Sequence, residues 1–184
     1  MSLPKVTLCM IVKNETAIIE ECLESVCKYI DRYDITDTGS TDGTQELIKK
    51  FFDEKGIPGE VYQSDWKGFG DHAGKEGSRT ESLKNCDDKA EYAWVIDADD
   101  YIHVGSGGFK WPQVMDADSY VLKIQRGEFV WWRNQVFKTG RETNWRYVGV
   151  LHEYADCDVK EGRRTIKVEG DYHIVARTEG SERN

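Results

Sequence analysis

Short apolar runs and amphipathic stretches alternate along the first hundred residues. The run "VTLCMIV", from Val6 to Val12, predicts a strand. Apolar residues then recur at steps of three and four from Ile18 to Ile30, which predicts an amphipathic helix. The alternation continues with strands at "RYDIT", at "GEVYQ" and from Ala93 to Ile96, and with helices from Thr41 to a stop at Gly56 and from Arg79 to Asn85.

This βαβαβαβ order predicts an α/β fold with a mainly parallel, doubly wound sheet. Ligands bind outside the carboxyl ends of the strands in such sheets, so the polar motifs that follow strands are the candidates for chemistry. After Tyr101 the pattern changes. "VGSGGFKWP" is typical of a loop, and "SYVLKIQR" and "FVWWRNQVFK" predict two antiparallel strands rich in aromatic residues.

Composition narrows the class of protein. A chain of 184 residues with 39% hydrophobic and 11% aromatic content suffices for one globular domain and is not typical of disorder. No apolar run approaches the roughly 20 residues that span a bilayer, and the first residues lack a secretory signal pattern. Five cysteines form no CxxC pair, and Cys9, Cys22 and Cys27 fall at apolar positions, as in a reducing compartment. We expect a cytoplasmic protein.

Charge and the chain end add two expectations. The formal net charge of -9 disfavours nonspecific binding to nucleic acid or anionic lipid. An acidic protein that binds a phosphorylated ligand needs a metal ion and a few well-placed cations. The tail "ARTEGSERN" is polar and brings no closing element, so we expect a truncated chain or the first domain of a longer one.

Two polar motifs follow the first two predicted strands, and helix capping explains most of both. In "KNET", Asn14 or Thr16 can cap the next helix, and Glu15 is favoured by the helix dipole. In "TDTGSTDGT", Ser40 or Thr41 can cap the following helix, with Asp42 in its first turn.

Capping does not explain Asp37. This residue lies at a predicted strand end, on the ligand side of the sheet. A carboxylate there can accept hydrogen bonds from a pyrimidine imide or from a ribose hydroxyl.

Three carboxylates end the predicted strand in "AWVIDADDYI". A solvated acidic turn is the ordinary explanation for them. Alternate residues of an extended segment point the same way, however, so Asp97 and Asp99 can face one ion while Asp100 faces elsewhere. Carboxylate oxygens at this spacing suit Mg²⁺ or Mn²⁺ held jointly with a substrate's phosphates.

Five motifs together carry a resemblance to a known family. With "CMIVKNE", "TDTGSTDGT", "SDWKGFG", "RTESL" and "WVIDADDYI" in this order, the chain resembles the family 2 glycosyltransferases with a GT-A fold. It resembles in particular a branch with W-x-G-F-G and D-A-D-[DE] motifs, which includes lipopolysaccharide-core sugar transferases. The resemblance runs from Val6 to Ile102 and returns at "VGVLHEY" and "DYHIVARTEGS". The chain has Thr38 where many relatives have an acidic residue, and it has Asp100 where this branch often has Glu.

The resemblance implies a fold, an activity and partners. The fold would be GT-A, Rossmann-like: a mostly parallel mixed sheet flanked by helices, with a small antiparallel β portion in the C-terminal half. A single domain over 1–184 would divide into a nucleotide-sugar-binding half, 1–102, and an acceptor-binding half, 103–184. The activity would be a metal-dependent, inverting sugar transfer from a nucleoside-diphosphate sugar, UDP-linked, with Mn²⁺ or Mg²⁺. The acceptor would be a glycan, lipid-linked or protein hydroxyl, with no nucleic acid and no membrane span.

The resemblance also implies residue roles. Asp37 matches the position that contacts uracil, and Arg79 matches a basic residue that reaches the diphosphate, although a helix-surface cation is the alternative for Arg79. In the D-x-D pair, Asp99 would touch the metal, and Asp97 the ribose or the surroundings of the metal. The predicted donor-binding residues are Asn14, Glu15, Asp37, Arg79 and Asp97.

The second half supplies the remaining candidates. His72 and His103 lie in predicted loops and receive no role, whereas His173 matches a later imidazole that joins Asp97 and Asp99 as a metal ligand in such enzymes. Glu153 is the predicted catalytic base, because it follows an aromatic and apolar segment in a motif that the family shares, and Asp156 is the alternative. The indoles expected in the core, of which one or two could line the acceptor site, are Trp111, Trp131, Trp132 and Trp145.

Two other functions compete with this interpretation. A phosphatase of the haloacid dehalogenase type also has D-x-D after an apolar strand, but its pair lies near the chain start and a Thr or Val follows. A non-catalytic domain that binds nucleotide sugar is the second alternative. The joint presence of Arg79, Glu153 and His173 with the D-x-D pair favours an enzyme.

Overall fold

The computed structural model describes residues 4–70, 75–149, 153–159 and 161–177. His72, His152 and most of the polar tail therefore lie outside the described residues. Within the described ranges the helices are α1 (Ile19–Val26), α2 (Thr44–Lys55) and α3 (Ser78–Lys84). The strands are β1 (Val6–Val12), β2 (Arg32–Asp37), β3 (Gly59–Gln63), β4 (Tyr92–Val95), β5 (Tyr101–Val104), β6 (Ser119–Arg126), β7 (Phe129–Lys138), β8 (Arg146–Val148), β9 (Tyr154–Asp156), β10 (Thr165–Lys167) and β11 (Tyr172–Val175).

The predicted α/β class is confirmed. Strands β3, β2, β1 and β4 are neighbours in this order and run parallel, as the alternating pattern predicts. β1 lies inside this group and is buried along nearly its whole length, which explains why its sequence is a continuous apolar run rather than an alternating one. The carboxyl ends of β1, β2 and β4 meet at one edge of the sheet, where the candidate motifs follow.

The second half extends the same sheet with mixed pairing. β4 pairs antiparallel with β7, β7 antiparallel with β6, β6 parallel with β11, and β11 antiparallel with β5. The predicted antiparallel pair β6–β7 is confirmed with its bounds, and β8 and β9 form a separate two-stranded antiparallel sheet. The sequence pattern missed β5, so the placement of His103 in a loop is wrong: His103 lies in β5, opposite β11.

A β-bulge interrupts β7. Tyr120 pairs with Val136 and Val121 with Asn134, which leaves Gln135 as an extra residue without a partner on β6. From Asn134 outward to the hairpin the pairing is regular. Alternate side chains therefore share one side of β7: Phe129, Trp131 and Arg133 on one, and Val130, Trp132 and Asn134 on the other.

Two apolar clusters cover the two sides of the sheet. The larger includes α1, α2 and the even-numbered side chains of β1, and the smaller lies around Cys9, Trp145 and Tyr147. Trp145 is buried and the Trp111 indole N–H donates to the carbonyl of Tyr29, so these two indoles belong to the core. All five cysteines are free thiols. Within the described ranges, no helix is long and apolar enough to cross a bilayer.

Candidate active site

The loops that follow β1 and β2 bind to one another through the residues predicted to cap α1 and α2. The residues that precede α1 and α2 are Ile18 and Gly43, and neither helix has a side-chain cap. The predicted caps, Asn14 or Thr16 for α1 and Ser40 or Thr41 for α2, are therefore wrong. Asn14 has a left-handed backbone, with φ of 55°, and joins the two loops: its N–H donates to Ser40 Oγ (2.9 Å), and its Oδ1 accepts from the Thr41 N–H (2.8 Å).

Asp42 completes this connection, and it precedes α2 rather than lying in its first turn. Its Oδ2 accepts hydrogen bonds from the backbone N–H and hydroxyl of Thr16, and its Oδ1 accepts from the same two groups of Thr44. Slight burial would raise the pKa of Asp42, but these hydrogen bonds outweigh it and lower the pKa to about 2. The Glu15 N–H donates to the Thr44 hydroxyl, so Glu15 takes part through its backbone.

Asp37 is buried at the end of β2, with 1% of its surface exposed. Its Oδ1 accepts hydrogen bonds from the N–H groups of Gly39 and Ser40 and from the Gln45 side-chain amide, at 2.9 to 3.0 Å. Its Oδ2 is buried without a hydrogen-bond partner among the described residues. A buried oxygen of this kind is costly, and a ligand N–H that reached it would remove the cost. We call residues 37–43 the β2 turn.

The D-x-D stretch after β4 is a turn rather than an extended segment. The Asp100 N–H donates to the Asp97 carbonyl (3.0 Å), and Ala98 and Asp99 lie between them at the turn. The prediction that Asp97 and Asp99 face one side of an extended chain is therefore wrong in its geometry, although all three carboxylates remain close. We call residues 97–100 the β4 turn.

Asp100 is the buried carboxylate of the β4 turn, with 4% of its surface exposed. Its Oδ1 accepts a hydrogen bond from the Arg177 N–H (3.2 Å). Burial first, and then the negative charges of Asp97 and Asp99, raise the pKa of Asp100 to about 7. The turn therefore concentrates more negative charge than its protein surroundings neutralise.

Arg79 joins the β4 turn to the second half of the chain. Its Nη2 lies 2.7 Å from Asp97 Oδ1, and its Nε lies 3.2 Å from Glu153 Oε2. Its side chain is only 19% exposed, so the alternative of a helix-surface cation is wrong. Burial alone would lower the pKa of Arg79, but the charges of Asp97 and Glu153 and the proximity of Tyr147 raise it above its ordinary value.

Glu153 lies in this network and Asp156 does not. The Glu153 side chain is 11% exposed, and the Gly70 N–H donates to it. Burial raises the pKa of Glu153, while Arg79 and the Gly70 hydrogen bond moderate the rise. Asp156, in β9, instead faces Arg163, with 3.4 Å between Oδ1 and the guanidinium. The structure thus brings the first predicted base, and not its alternative, to Arg79.

The loop 64–70, which contains the "SDWKGFG" motif, holds this arrangement in place. The Ser78 N–H donates to the Gly68 carbonyl, and the Lys67 N–H donates to Ser78 Oγ, so the loop lies against the start of α3 next to Arg79. A Cβ at Gly70 would lie 2.3 Å from the Tyr147 carbonyl oxygen, which only glycine avoids.

Arg133 is a site residue that sequence reasoning missed. It lies on β7, and its Nη1 is 3.8 Å from Asp97 Oδ2. Its charge also lowers the pKa of the buried Asp100, as one of the weaker influences on that group. No local signal marks Arg133, because its approach to Asp97 depends on the order of β4 and β7 in the sheet.

His173 lies apart from the β4 turn. It faces His103 across the β11–β5 pair, with 5.0 Å between ring centroids. Burial, then His103 and Lys123, lower the pKa of His173, and no carboxylate of the β4 turn is among the groups that shift it. In the described part of the chain, no three His, Cys, Asp or Glu side chains are grouped to hold a metal ion. The metal role of His173 stays a prediction that this geometry does not support.

The β4 turn by itself fits a divalent cation that is shared with a ligand. The Asp99 side chain is partly exposed and makes no hydrogen bond or ion pair with another described residue. Asp97 and Asp99 lie close enough to raise the pKa of Asp100. Mg²⁺ and Mn²⁺ accept one or two carboxylates and complete their coordination with water and substrate phosphates. Asp97 and Asp99 are therefore a suitable protein contribution to such a site.

Comparisons with solved structures find weak similarities. Solved structures of S. aureus TarS resemble the chain weakly: TarS 1–349 has a TM-score of 0.47 and 18% identity over 68% of this chain and 37% of that one. Its complex with UDP has a TM-score of 0.47 and 19% identity over 67% and 36% of the two chains. The chain thus spans well under half the length of these structures, and no curated protein matches it.

The sequence profile of one family covers the parallel half of the sheet. The family described as Glycosyl transferase family 2 matches residues 7–106, from β1 through the β4 turn to the end of β5. This span is more than half of the 184 residues and contains every strand end at which the candidate site is built. The chain therefore belongs to glycosyl transferase family 2.

Proposed function

We propose that the chain transfers a sugar, with inversion, from a nucleoside-diphosphate sugar to an acceptor hydroxyl, and that the nucleotide is UDP. The observation that carries the proposal is the position of Arg79, which lies within 2.7 Å of Asp97 and 3.2 Å of Glu153. A guanidinium that could take up a diphosphate, an acidic turn and a partly buried carboxylate from distant parts of the chain thus meet at one sheet edge. The resemblance to the lipopolysaccharide-core branch, and the division into a donor half and an acceptor half, belong to the same proposal.

The donor would bind across the carboxyl ends of β1, β2 and β4. Asp37 offers a buried Oδ2 without a partner, which suits the imide N–H of uracil. Asn14 and Glu15 would line this part of the cleft, since their backbones fix the loop next to the β2 turn. The rigid connection of the two loops would let the base bind with little reorganisation.

A divalent ion, Mn²⁺ or Mg²⁺, held by Asp97 and Asp99 would supply positive charge against the leaving diphosphate. Arg79 is positioned to share this task, because it already borders the same carboxylates and retains its charge at any physiological pH. Neutralisation of the crowded β4 turn would thereby coincide with donor binding. The roles of Asp97 and Asp99 rest on their place in the turn and on the family resemblance.

Glu153 would act as the base. Its carboxylate would take the proton of the acceptor hydroxyl while that oxygen bonds to the anomeric carbon and the bond from that carbon to the diphosphate breaks. Attack on the face opposite the diphosphate inverts the configuration. The raised pKa of Glu153 brings it closer to the working pH, which strengthens it as a base.

Titration calorimetry with UDP tests the donor side of the proposal. We expect UDP to bind in Mn²⁺ and to bind at least about tenfold more weakly after chelation. Arg79→Ala should weaken binding by about tenfold or more, because a charge-assisted contact to phosphate is lost. Arg146→Ala, which removes an arginine that pairs with Asp158, is the matched control and should leave UDP affinity unchanged.

Equal UDP affinity with and without Mn²⁺ would contradict the metal assignment. Absence of UDP binding under all conditions would contradict the nucleotide. Release of free UDP from UDP-sugars then separates an enzyme from a non-catalytic binding domain, because a binder retains affinity and releases none.

A further inference from the structure

The tip of the β6–β7 hairpin exposes a contiguous apolar surface. We define the hairpin tip as residues 127–131. Within it Phe129 is 78% exposed, Val130 55% and Trp131 38%. Phe129 and Trp131 lie on one side of β7 and Val130 on the other, so the tip is apolar on both sides. Single exposed apolar residues are ordinary, but three consecutive ones with two aromatic rings indicate an interaction surface.

Cations without carboxylate partners lie behind this tip. Lys123 and Arg126 on β6, and Lys167 on β10, form no ion pair with another described residue, whereas most arginines of the described ranges do. The ammonium groups of Lys123 and Lys167 lie over the Trp132 ring, 5.7 and 4.9 Å from its centroid. The tip contains one carboxylate, Glu128. Arg126 lies opposite Phe129 at the tip itself, whereas Lys167 lies opposite Val121 further back and Lys123 donates to the Gly170 carbonyl, which Glu169 and Asp171 flank in sequence.

We propose that the hairpin tip docks on an anionic lipid bilayer. Tryptophan and phenylalanine are favoured in the headgroup region, where an aromatic ring is buried while nearby polar groups stay hydrated. Unpaired lysines and arginines beside them are attracted to anionic headgroups within a Debye length. The two features together favour a charged bilayer over a purely apolar protein partner, which would leave the cations without counter-charges. The net charge of -9 disfavours nonspecific adsorption of the whole chain to such a bilayer, so the attraction would have to be local to the tip.

Docking at the tip has a consequence for the acceptor, and this consequence rests on the proposed function. Arg133, next to Asp97, lies on the same strand as Phe129 and four residues from it, roughly 13 Å along the strand. A tip that touches the bilayer would hold the candidate site a short distance above the lipid headgroups. The acceptor class that suits this geometry is a glycan anchored to a lipid.

Vesicle flotation of the full chain tests the docking. We expect binding to vesicles of phosphatidylglycerol and phosphatidylcholine in equal parts, weaker binding in high salt, and little binding to phosphatidylcholine alone. Phe129→Ser with Trp131→Ser should lower the partition coefficient at least about tenfold. Val114→Ser removes another exposed apolar side chain, 66% exposed in a different loop, and should have no effect.

A second pair of variants separates charge from apolar insertion. Lys123→Gln with Arg126→Gln should lower binding to the anionic vesicles about tenfold. Lys49→Gln with Lys110→Gln removes two exposed cations elsewhere and should change binding much less. Circular dichroism checks the fold of each variant, and Phe129→Ser alone serves if the double substitution unfolds, because this side chain is mostly exposed.

The docking proposal would be overturned if the unmodified chain did not bind anionic vesicles, or if the Phe129/Trp131 variant bound them equally well. If that variant kept its vesicle binding but changed from dimer to monomer, the tip would instead contact a second copy. If the variant lost binding only to arrayed glycans, the tip would instead stack on sugars. UDP calorimetry on the same samples keeps the two proposals distinct. Vesicle binding without UDP binding would leave the docking standing and remove the proposed function.

Discussion

The acidic turns that follow β2 and β4 satisfy their carboxylates in opposite ways. In the β2 turn, Asp37 and Asp42 accept hydrogen bonds from backbone N–H groups, hydroxyls and one amide, and none of their described partners is a cation. In the β4 turn, Asp97 faces the guanidinium groups of Arg79 and Arg133. The β2 turn uses neutral donors and leaves Asp37 Oδ2 without a hydrogen-bond partner among the described residues, whereas the β4 turn depends on charges from distant segments.

The two turns therefore differ in how far the described residues stabilise their negative charge. Neutral donors lower the pKa of Asp42 to about 2, so its charge is stabilised without any ligand. Burial and two neighbouring carboxylates raise the pKa of Asp100 to about 7, which indicates negative charge in excess of what the described residues neutralise. Removal of Asp42 should therefore cost stability, whereas removal of a β4-turn carboxylate should, on the proposed function, cost activity.

The largest expected effect is on Asp99. Asp99→Ala removes the β4-turn carboxylate that makes no hydrogen bond or ion pair with another described residue and is therefore available to a ligand, so transfer should fall by about a thousandfold. The free energy of unfolding should stay the same or rise, because the substitution relieves repulsion around Asp100. UDP release and thermal unfolding on one preparation measure both quantities. A fall in Tm of more than about 4 °C would remove the contrast between the turns.

The next prediction concerns Glu153, which Arg79 connects to the β4 turn. Glu153→Gln retains the size and the hydrogen-bonding capacity of the side chain but removes its basicity, so transfer should fall at least about a hundredfold while UDP affinity is unchanged. Asp156→Asn is the matched control and should leave transfer nearly unaltered, because Asp156 faces Arg163 instead. Kinetics with saturating donor measure the transfer rate of both variants, and calorimetry measures their UDP affinity. If Asp156→Asn had the larger effect, the base would be Asp156.

The pH dependence of kcat/KM is a further test of Glu153 as the base. Because burial raises the pKa of Glu153, the acid limb of kcat/KM in the unmodified chain should lie above the ordinary glutamate value of 4.5. A base must be deprotonated, so activity falls as the pH drops through that raised pKa. The acid limb should be absent from the residual activity of Glu153→Gln. A limb at or below the ordinary value would assign the titration to another group.

The smallest effect concerns Asp42. Its folded pKa of about 2 lies below the ordinary value of 3.8, so its contribution to stability is present above pH 4 and is lost as the pH falls toward 2. Asp42→Asn should lower the free energy of unfolding by about 1 kcal/mol near neutral pH, since the group is exposed and solvent screens its charge. Denaturant unfolding at several pH values should show the two chains converging in acid. A constant difference would show that the charge is not the cause.

The same comparison shows what the sequence could predict. The bounds of β1, β3, β6 and β7 match the predicted strands, and in β1 and β6 the reason is that burial of consecutive or alternate side chains is a local property of a strand. The caps in "KNET" and "TDTGSTDGT" were wrong because Asn14 finds its partner Ser40 at a separation of 26 residues, on another loop. Capping rules consider only neighbours in sequence, so they cannot register such a contact.

Motifs in the sequence pointed to single residues, but contacts that depend on the sheet order were missed. Arg79 and Glu153, each singled out from a motif, lie in contact, whereas the approach of Arg133 to Asp97 depends on β7 lying next to β4. His173 was grouped with Asp97 and Asp99 because the resemblance implies a later imidazole as a metal ligand. In the sheet, the antiparallel pairing of β11 with β5 sets it opposite His103 instead.

Because of the bulge at Gln135, β7 should tolerate the deletion of one residue there better than the insertion of one. Gln135 has no partner on β6, so the strand could lose it and keep every other β6–β7 pair in register. One residue inserted at that point would either widen the bulge or turn each side chain from Phe129 to Asn134 to the opposite side of the sheet. The second outcome would carry Arg133 away from Asp97 and exchange the places of Trp131 and Trp132. Among related chains we therefore expect deletions opposite Val121 to be accepted and insertions there to be rare.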